Sequence, residues 1–339
     1  RHGVAQRAEH QRADPVRLIG LSAMNYVTGN WSFDPFLILA ILVVGWHEIG
    51  LRRLALRSRP ERTRQRRLRS FFFYGGLAVL LVAVESPIDY WSDDYFFVHM
   101  IQHLLLMFAA PALVVAGAPW PPLLDALPAR LRHGATRSVL AGAWSRPLRS
   151  FRSAAAGPWA AIIAFNVVMT AWHVPALFDL AQQNPYVHIW LMHASFFAVG
   201  VWFWVQFIPS PPLHRRMSAP SRLTALVTTN VIMWFLAMSL SVFTQTSWYS
   251  TYRGLPGITL PPFADQQIGA AILWVCGDLW CFPAVAFLIM RIAADEGGVG
   301  AAIDKILRKG SSRGAWARPA PRAVPSRPAA GGAEPPQGT

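Results

Sequence analysis

Two histidines, His99 and His103, stand four residues apart near the start of 95–117, a stretch long and apolar enough to cross a bilayer as one helix. Hydrocarbon does not solvate an ionisable ring, so an imidazole in such a stretch points to function before it points to packing. Side chains at i and i+4 share a helix face about 6 Å apart, a spacing that two ligands of one metal ion can use. The plain alternative is that each ring simply hydrogen-bonds to a neighbouring helix. Three more histidines flank other apolar runs: His173 closes one, and His188 and His193 open the next. Methionines accompany them at helical spacing, Met169 before His173 and Met192 after His188, while Met107 continues the His99–His103 face. Imidazole suits zinc, copper and iron, and thioether sulfur favours Cu(I). Methionine at that spacing is also ordinary core filling. Gln102 lies inside the first pair, and Asp265 and Gln266 open the last apolar run. These three are the candidates for orienting the imidazoles from behind, with Asp265 open to a second reading as the N-cap of its own helix.

The elements that position these side chains are membrane helices. The chain of 339 residues is 53% hydrophobic and only 14% charged, which places it among multi-pass membrane proteins. Its formal charge of +14 does not indicate a nucleic-acid binder, because the arginines gather in loops between apolar runs. That is where topology signals and contacts with lipid phosphates belong. Apolar runs occur at 36–56, 69–85, 95–117, 157–175, 186–208, 223–243 and 267–290, each near the ~20 residues a hydrocarbon core demands. The expected fold is an all-α seven-transmembrane helix bundle. The segment 52–69 holds nine arginines, 118–156 holds six, and Arg215, Arg216 and Arg222 mark a third basic connection. The alternate connections, 86–94 and 174–185, carry Asp89, Asp93, Asp94 and Asp179 and no Lys or Arg, and 244–266 holds only Arg253. The positive-inside rule then puts the N-terminus outside and the C-terminus inside.

Topology turns scattered histidines into a constellation. At ~1.5 Å per residue, His99 and His103 lie about 6 and 12 Å below the outer boundary of a span that enters from outside. His173 ends a span at that same side, and His188 and His193 begin another there. Residues 119–153 alternate Trp, Leu and Arg between prolines and read as short interfacial helices on the cytoplasmic side. The Ser/Thr/Gly/Pro-rich stretch 244–266 is suited to capping the outer face. Residues 1–30 read as a flexible extension, with Met24 as the expected start of translation, 31–293 as the membrane domain and 294–339 as a mostly disordered cytoplasmic tail.

Other candidates are weaker. His47-Glu48 lacks the second histidine of a zinc-protease helix, and Glu48 has Arg52 one turn on. Asp278 falls mid-membrane, where a lone carboxyl calls for a hydrogen-bonding partner such as Asn166 or Asn230. Cys276 and Cys281 would lie about 140° apart on a helix, so neither a disulfide nor a zinc knuckle is indicated.

These residues together resemble the multi-pass CtaG family of cytochrome c oxidase assembly factors, associated with caa3-type oxidases. The likeness rests on Ser86-Pro87, on His99-Met100-Ile101-Gln102-His103 followed by Pro111 and Gly117-Ala118-Pro119, and on Ala171-Trp172-His173-Val174-Pro175. It extends to the pair His188 and His193 and to Asp265-Gln266-Gln267-Ile268-Gly269, and covers about residues 30–293. Ala270 stands where the family commonly has a second glycine. The resemblance implies a plasma-membrane protein of bacteria, not an enzyme, that helps mature a haem-copper oxidase by handling copper on the outer face, with oxidase subunits as partners. On that view His99, His103, His173, His188 and His193, assisted by Met192, hold Cu(I), and affinity falls at acid pH because imidazole ligates only when neutral. Two other readings use the same histidines: an intramembrane zinc hydrolase with Asp265 or Asp89 as general base, and a haem-b protein with paired axial histidines.

Overall fold

Proline sets where most of the helices begin. It opens α1 (Pro35–Ala55), α2 (Pro60–Glu85), α3 (Pro87–Ser92), α8 (Pro175–Gln183) and α11 (Pro262–Asp295), and sits in the first turn of α10 (Ala219–Ser241). The missing N–H costs nothing there and the fixed φ is already helical. The computed structural model describes residues 30–31, 35–128, 131, 157–213 and 217–295. Between α3 and α8 come α4 (Phe96–Leu104), a π-helical turn at Leu105–Ala109, α5 (Ala110–Gly117), α6 (Trp120–Asp125) and α7 (Gly157–Trp172). A second π-helical segment, Val187–His193, runs into α9 (Ala194–Trp204), and a 3-10 turn, Ser250–Tyr252, precedes α11. The described residues are helical with no β-strand, as the all-α reading expects.

Five of these helical stretches are long and apolar enough to cross a membrane, or six if α7 and α8, bent by 73° at their junction, make one broken span. The expectation of seven is met only in part. The first apolar run does form a helix, the 21-residue α1, but it falls outside that count, and its second half carries His47, Glu48, Arg52 and Arg53. Two stretches read as loops are helices instead: 86–94 contains α3, and 174–185 contains α8. Helix α2 also starts earlier than 69, because its arginines extend the helix beyond the apolar run. The proposed extension 1–30 (save Asn30), the tail beyond 295 and most of the interfacial stretch 119–153 lie outside the described residues; α6 is the described part of the last.

The surface is inverted relative to a water-soluble protein. Leu42, Phe71, Phe235 and Leu279 are each more than 60% exposed, whereas His99, Gln102, Thr229 and Gln266 are fully buried. Such a pattern suits hydrocarbon as solvent, with polar groups turned into the bundle. The helices around the histidines belong to one compact unit that ends at Leu288. A close seam joins α2 and α5. A Cβ at Gly76 would sit 2.8 Å from Val114 N, and one at Gly117 would sit 2.6 Å from Phe73 N, so the backbones approach as only small residues permit. Helix α5 then ends with Ala118 in the left-handed conformation, φ 46°. Deeper in the bundle, Asp278 on α11 accepts from Asn230 Nδ2 at 3.0 Å and Trp234 Nε1 at 2.8 Å. Asn166, the other candidate partner, bonds to Ile162 O and Thr229 instead. Both cysteines are free.

Candidate metal centre

His99 and His103 lie on successive turns of α4, and the helix presents both inward. Their Nε2 atoms are 2.6 Å apart, the distance of a hydrogen bond between one ring N–H and the other ring's lone pair. His193 joins them from the second π-helical segment: one ligand nitrogen from each of the three lies within 4.8 Å of the others. All three are buried.

The π-helical geometry explains how His188 and His193 come together. Five residues on an α-helix turn about 500°, leaving the two rings some 140° apart. The π-helix bonds i to i+5, so such residues stack on one face. Here the rings are 4.2 Å apart between centroids. His188 in turn stacks on His99 at 5.1 Å, and His173 meets His103 edge-on at 5.7 Å. All five histidines singled out by sequence thus fall in one buried group. Four nitrogens in it have no hydrogen-bond partner among the described residues: both of His193, Nδ1 of His103 and Nε2 of His188. A buried polar atom left unpaired costs about 1–3 kcal/mol, so a cluster with four is built for something beyond its own packing.

Other groups fix the remaining ring edges. His173 closes α7 just before the 73° break, and its Nδ1–H donates to Met169 O at 2.6 Å, since a carbonyl only accepts. Its Nε2 lone pair therefore faces inward, 3.4 Å from Met100 Sδ. On the other side of the cluster, Tyr252 Oη donates to Ser92 O at 2.8 Å and accepts from Gln182 Nε2 at 2.8 Å. It also lies 3.2 Å from His99 Nδ1. Taking the Nδ1–H of His99 completes the hydroxyl and leaves the Nε2 lone pair aimed at His103, the orienting arrangement usual for a ligating imidazole. Burial, helped by the nearby Asp93 carboxylate, holds the Tyr252 phenol well above its ordinary value, so it stays protonated. The loop carrying it is tied down by Asp179 of α8, whose carboxylate accepts from the N–H and hydroxyl of Ser250 and of Thr251.

The residues expected behind the imidazoles bond elsewhere. Asp265 accepts from Phe96 N–H at 2.7 Å and Phe97 N–H at 2.9 Å, and so caps the first turn of α4 from a different helix. Gln266 bridges Trp248 N–H and Leu240 O, anchoring the loop. Gln102 donates to Ala83 O and to Asp89 Oδ1. Their hydrogen bonds hold the elements that carry the histidines rather than the rings. Met192 is fully buried, and Met100 brings its thioether to 3.4 Å from His173 Nε2. Sequence reasoning missed Gln182 and Tyr252; the only hint was the short polar connections on the histidine side.

Comparison with known proteins adds an independent finding. The model of a family described as cytochrome c oxidase caa3 assembly factor, Caa3_CtaG, matches residues 47–295. The uncharacterized proteins Mb0105 of Mycobacterium bovis and MT0111 of Mycobacterium tuberculosis are each 26% identical over 281 residues, covering 81% of this chain and 41% of theirs. The uncharacterized protein ML1998 of Mycobacterium leprae is 25% identical over 248 residues, 68% of this chain and 35% of its own. The chain thus spans about two fifths of the length of the curated relatives it matches. No solved structure matches.

Proposed function

The chain belongs to the cytochrome c oxidase caa3 assembly factors, and from that premise we propose that it binds Cu(I) in its histidine cluster and passes it to an oxidase subunit. The metal is cargo here. The observation that carries this reading is the set of unpaired imidazole nitrogens on His193, His103 and His188 beside the His99–His103 pair. His99 and His103 would hold the ion once the proton between their Nε2 atoms moves to the unpartnered Nδ1 of His103 and the two rings part, and His193 and His188 would supply further neutral nitrogen. Met100 and His173 add a soft sulfur and an oriented nitrogen at the edge. Mixed nitrogen and thioether donors favour Cu(I) among the metals imidazole can hold.

The same reading takes α1 as a seventh crossing, with the cluster at the outer face of the bacterial plasma membrane and oxidase subunits as recipients. At ~1.5 Å per residue α1 is about 31 Å long, enough for a hydrocarbon core. A non-enzymatic role is supported by the carboxylates: Asp265 is taken up by two backbone N–H groups and Asp89 by Gln102, so neither stands ready as the base of a zinc hydrolase.

The test is metal analysis of the purified protein after Cu(I) loading, with His103→Ala and His193→Ala alongside. Wild type should retain copper in preference to zinc, and each variant should lose most of it. Full copper retention in both variants, or a Soret band in the unloaded protein, would sink the copper reading. A deletion strain should make the oxidase subunits but show reduced oxidase activity, restored by added copper.

A further inference from the structure

About 27 Å from the histidines, at ~1.5 Å per residue along α4 and α5, the bundle holds a second polar site with a different chemistry. A cavity of about 370 Å³ opens between the first turns of α2 and the end of α5. Arg62, Arg66 and Arg69 line it, together with Gln65, Ser70 and His47, and no carboxylate among the described residues does. The three arginines are spaced i, i+4 and i+7 and so share one face of α2. Arg66 is set in place by donating to Ser58 Oγ at 2.7 Å. Arg62 and Arg69 have no ion pair among the described residues. His47 is almost wholly buried and its Nδ1–H donates to Tyr74 Oη at 2.9 Å, so its Nε2 keeps a lone pair and the arginines alone supply donors for an anion. Tyr74 in turn donates to Glu48, so that carboxylate is occupied within the same network rather than by Arg52.

Three guanidinium groups gathered on a concave wall, with no counter-charge among the described residues, attract an anion. Guanidinium matches phosphate oxygens in paired hydrogen bonds. Basic pockets between helices at a membrane rim are suited to lipid head groups. We propose that this cavity binds a phosphate-bearing anion through Arg62, Arg66 and Arg69, either the phosphodiester head group of an anionic phospholipid or a soluble phosphate. The site is separate from the histidine cluster and does not depend on what that cluster carries.

The experiment uses the full chain, purified and stripped of lipid in neutral detergent. Native mass spectrometry then counts retained ligand after addition of phosphatidylglycerol, phosphatidylcholine or inorganic phosphate. The variant R62Q/R69Q removes two lining guanidiniums. The variant R64Q/R67Q removes the same charge from exposed positions of the same helix outside the cavity. The expected result is retention of phosphatidylglycerol but not phosphatidylcholine, weakened about tenfold per lining guanidinium lost and unchanged in R64Q/R67Q. Retention of inorganic phosphate without phosphatidylglycerol, with the same dependence on Arg62 and Arg69, assigns the site to soluble phosphate. Equal loss in both variants reduces the effect to general surface charge and overturns the proposal. So does equal binding of both lipids, or no binding of any probe. Helical circular dichroism of R64Q/R67Q and R62Q/R69Q, compared with wild type, separates loss of the site from loss of the fold.

Discussion

At the residue scale, Tyr252 gives the cluster its direction. Its hydroxyl spends its proton on Ser92 O and one lone pair on Gln182, so the other is available to His99 Nδ1. Removing the oxygen without changing the ring frees His99 to take either tautomer. Tyr252→Phe should therefore weaken Cu(I) binding about tenfold to a hundredfold, the usual cost of losing a group that orients a ligating imidazole. A competition titration against a Cu(I) chelator measures this, and equal affinity in wild type and variant would show that the phenol orients nothing. The five histidines were legible in sequence because an ionisable ring stands out against an apolar run. Tyr252 and Gln182 were not, since a tyrosine in a loop and a glutamine near a helix end look ordinary until the loop folds back. Met100, at 3.4 Å from His173 Nε2, adds a thioether that helical spacing alone did not single out, while Met192 lies in the π-helical segment Val187–His193.

At the element scale, the two π-helical segments both adjoin α9 in the site's support. Leu105–Ala109 follows the His99–His103 turn, and Val187–His193 carries the other pair. Helix α9 packs against the first of them through Gly200, whose added Cβ would lie 2.6 Å from Met107 O and 2.7 Å from Pro111 Cγ. Backbone on one side and a proline ring on the other leave little room to yield. Gly200→Ala should lower the stability of the detergent-solubilised protein by about 1–3 kcal/mol, the range for overpacking a close seam. It should also loosen copper retention, because α9 continues directly from His193. An unchanged thermal midpoint would mean that the seam adjusts freely. Asp265 works at this scale too. A residue expected to serve the imidazoles instead caps α4 across 169 positions of sequence, which no local pattern could reveal. The apolar runs located the helices because hydrocarbon demands them, but composition did not disclose that α7 and α8 break by 73° or that α3 and α8 form in short polar connections.

At the scale of the whole molecule, the two chemistries occupy opposite ends: imidazoles at one end of the Phe96–Gly117 span and arginines at the other. The positive-inside rule gives this polarity an expected direction, with the arginine-rich connections on the cytoplasmic side. On the copper reading proposed above, it also sets the side from which the ion would reach the cluster. The loop bearing Tyr252 and Tyr249 contacts His99 and His173, so the side on which that loop lies is the side of the histidine cluster. Single cysteines at Asn30, Leu56 and Gln245, in a chain whose Cys276 and Cys281 are replaced by alanine, report three positions to a thiol reagent that does not cross membranes. With α1 as a crossing and the cluster outside, Asn30→Cys and Gln245→Cys label on intact cells, whereas Leu56→Cys labels only after permeabilisation. If α1 does not cross, Asn30→Cys follows Leu56→Cys. If Gln245→Cys is the protected position, the histidines face the cytoplasm, and outer-face copper delivery fails whatever the cluster's affinity for the metal.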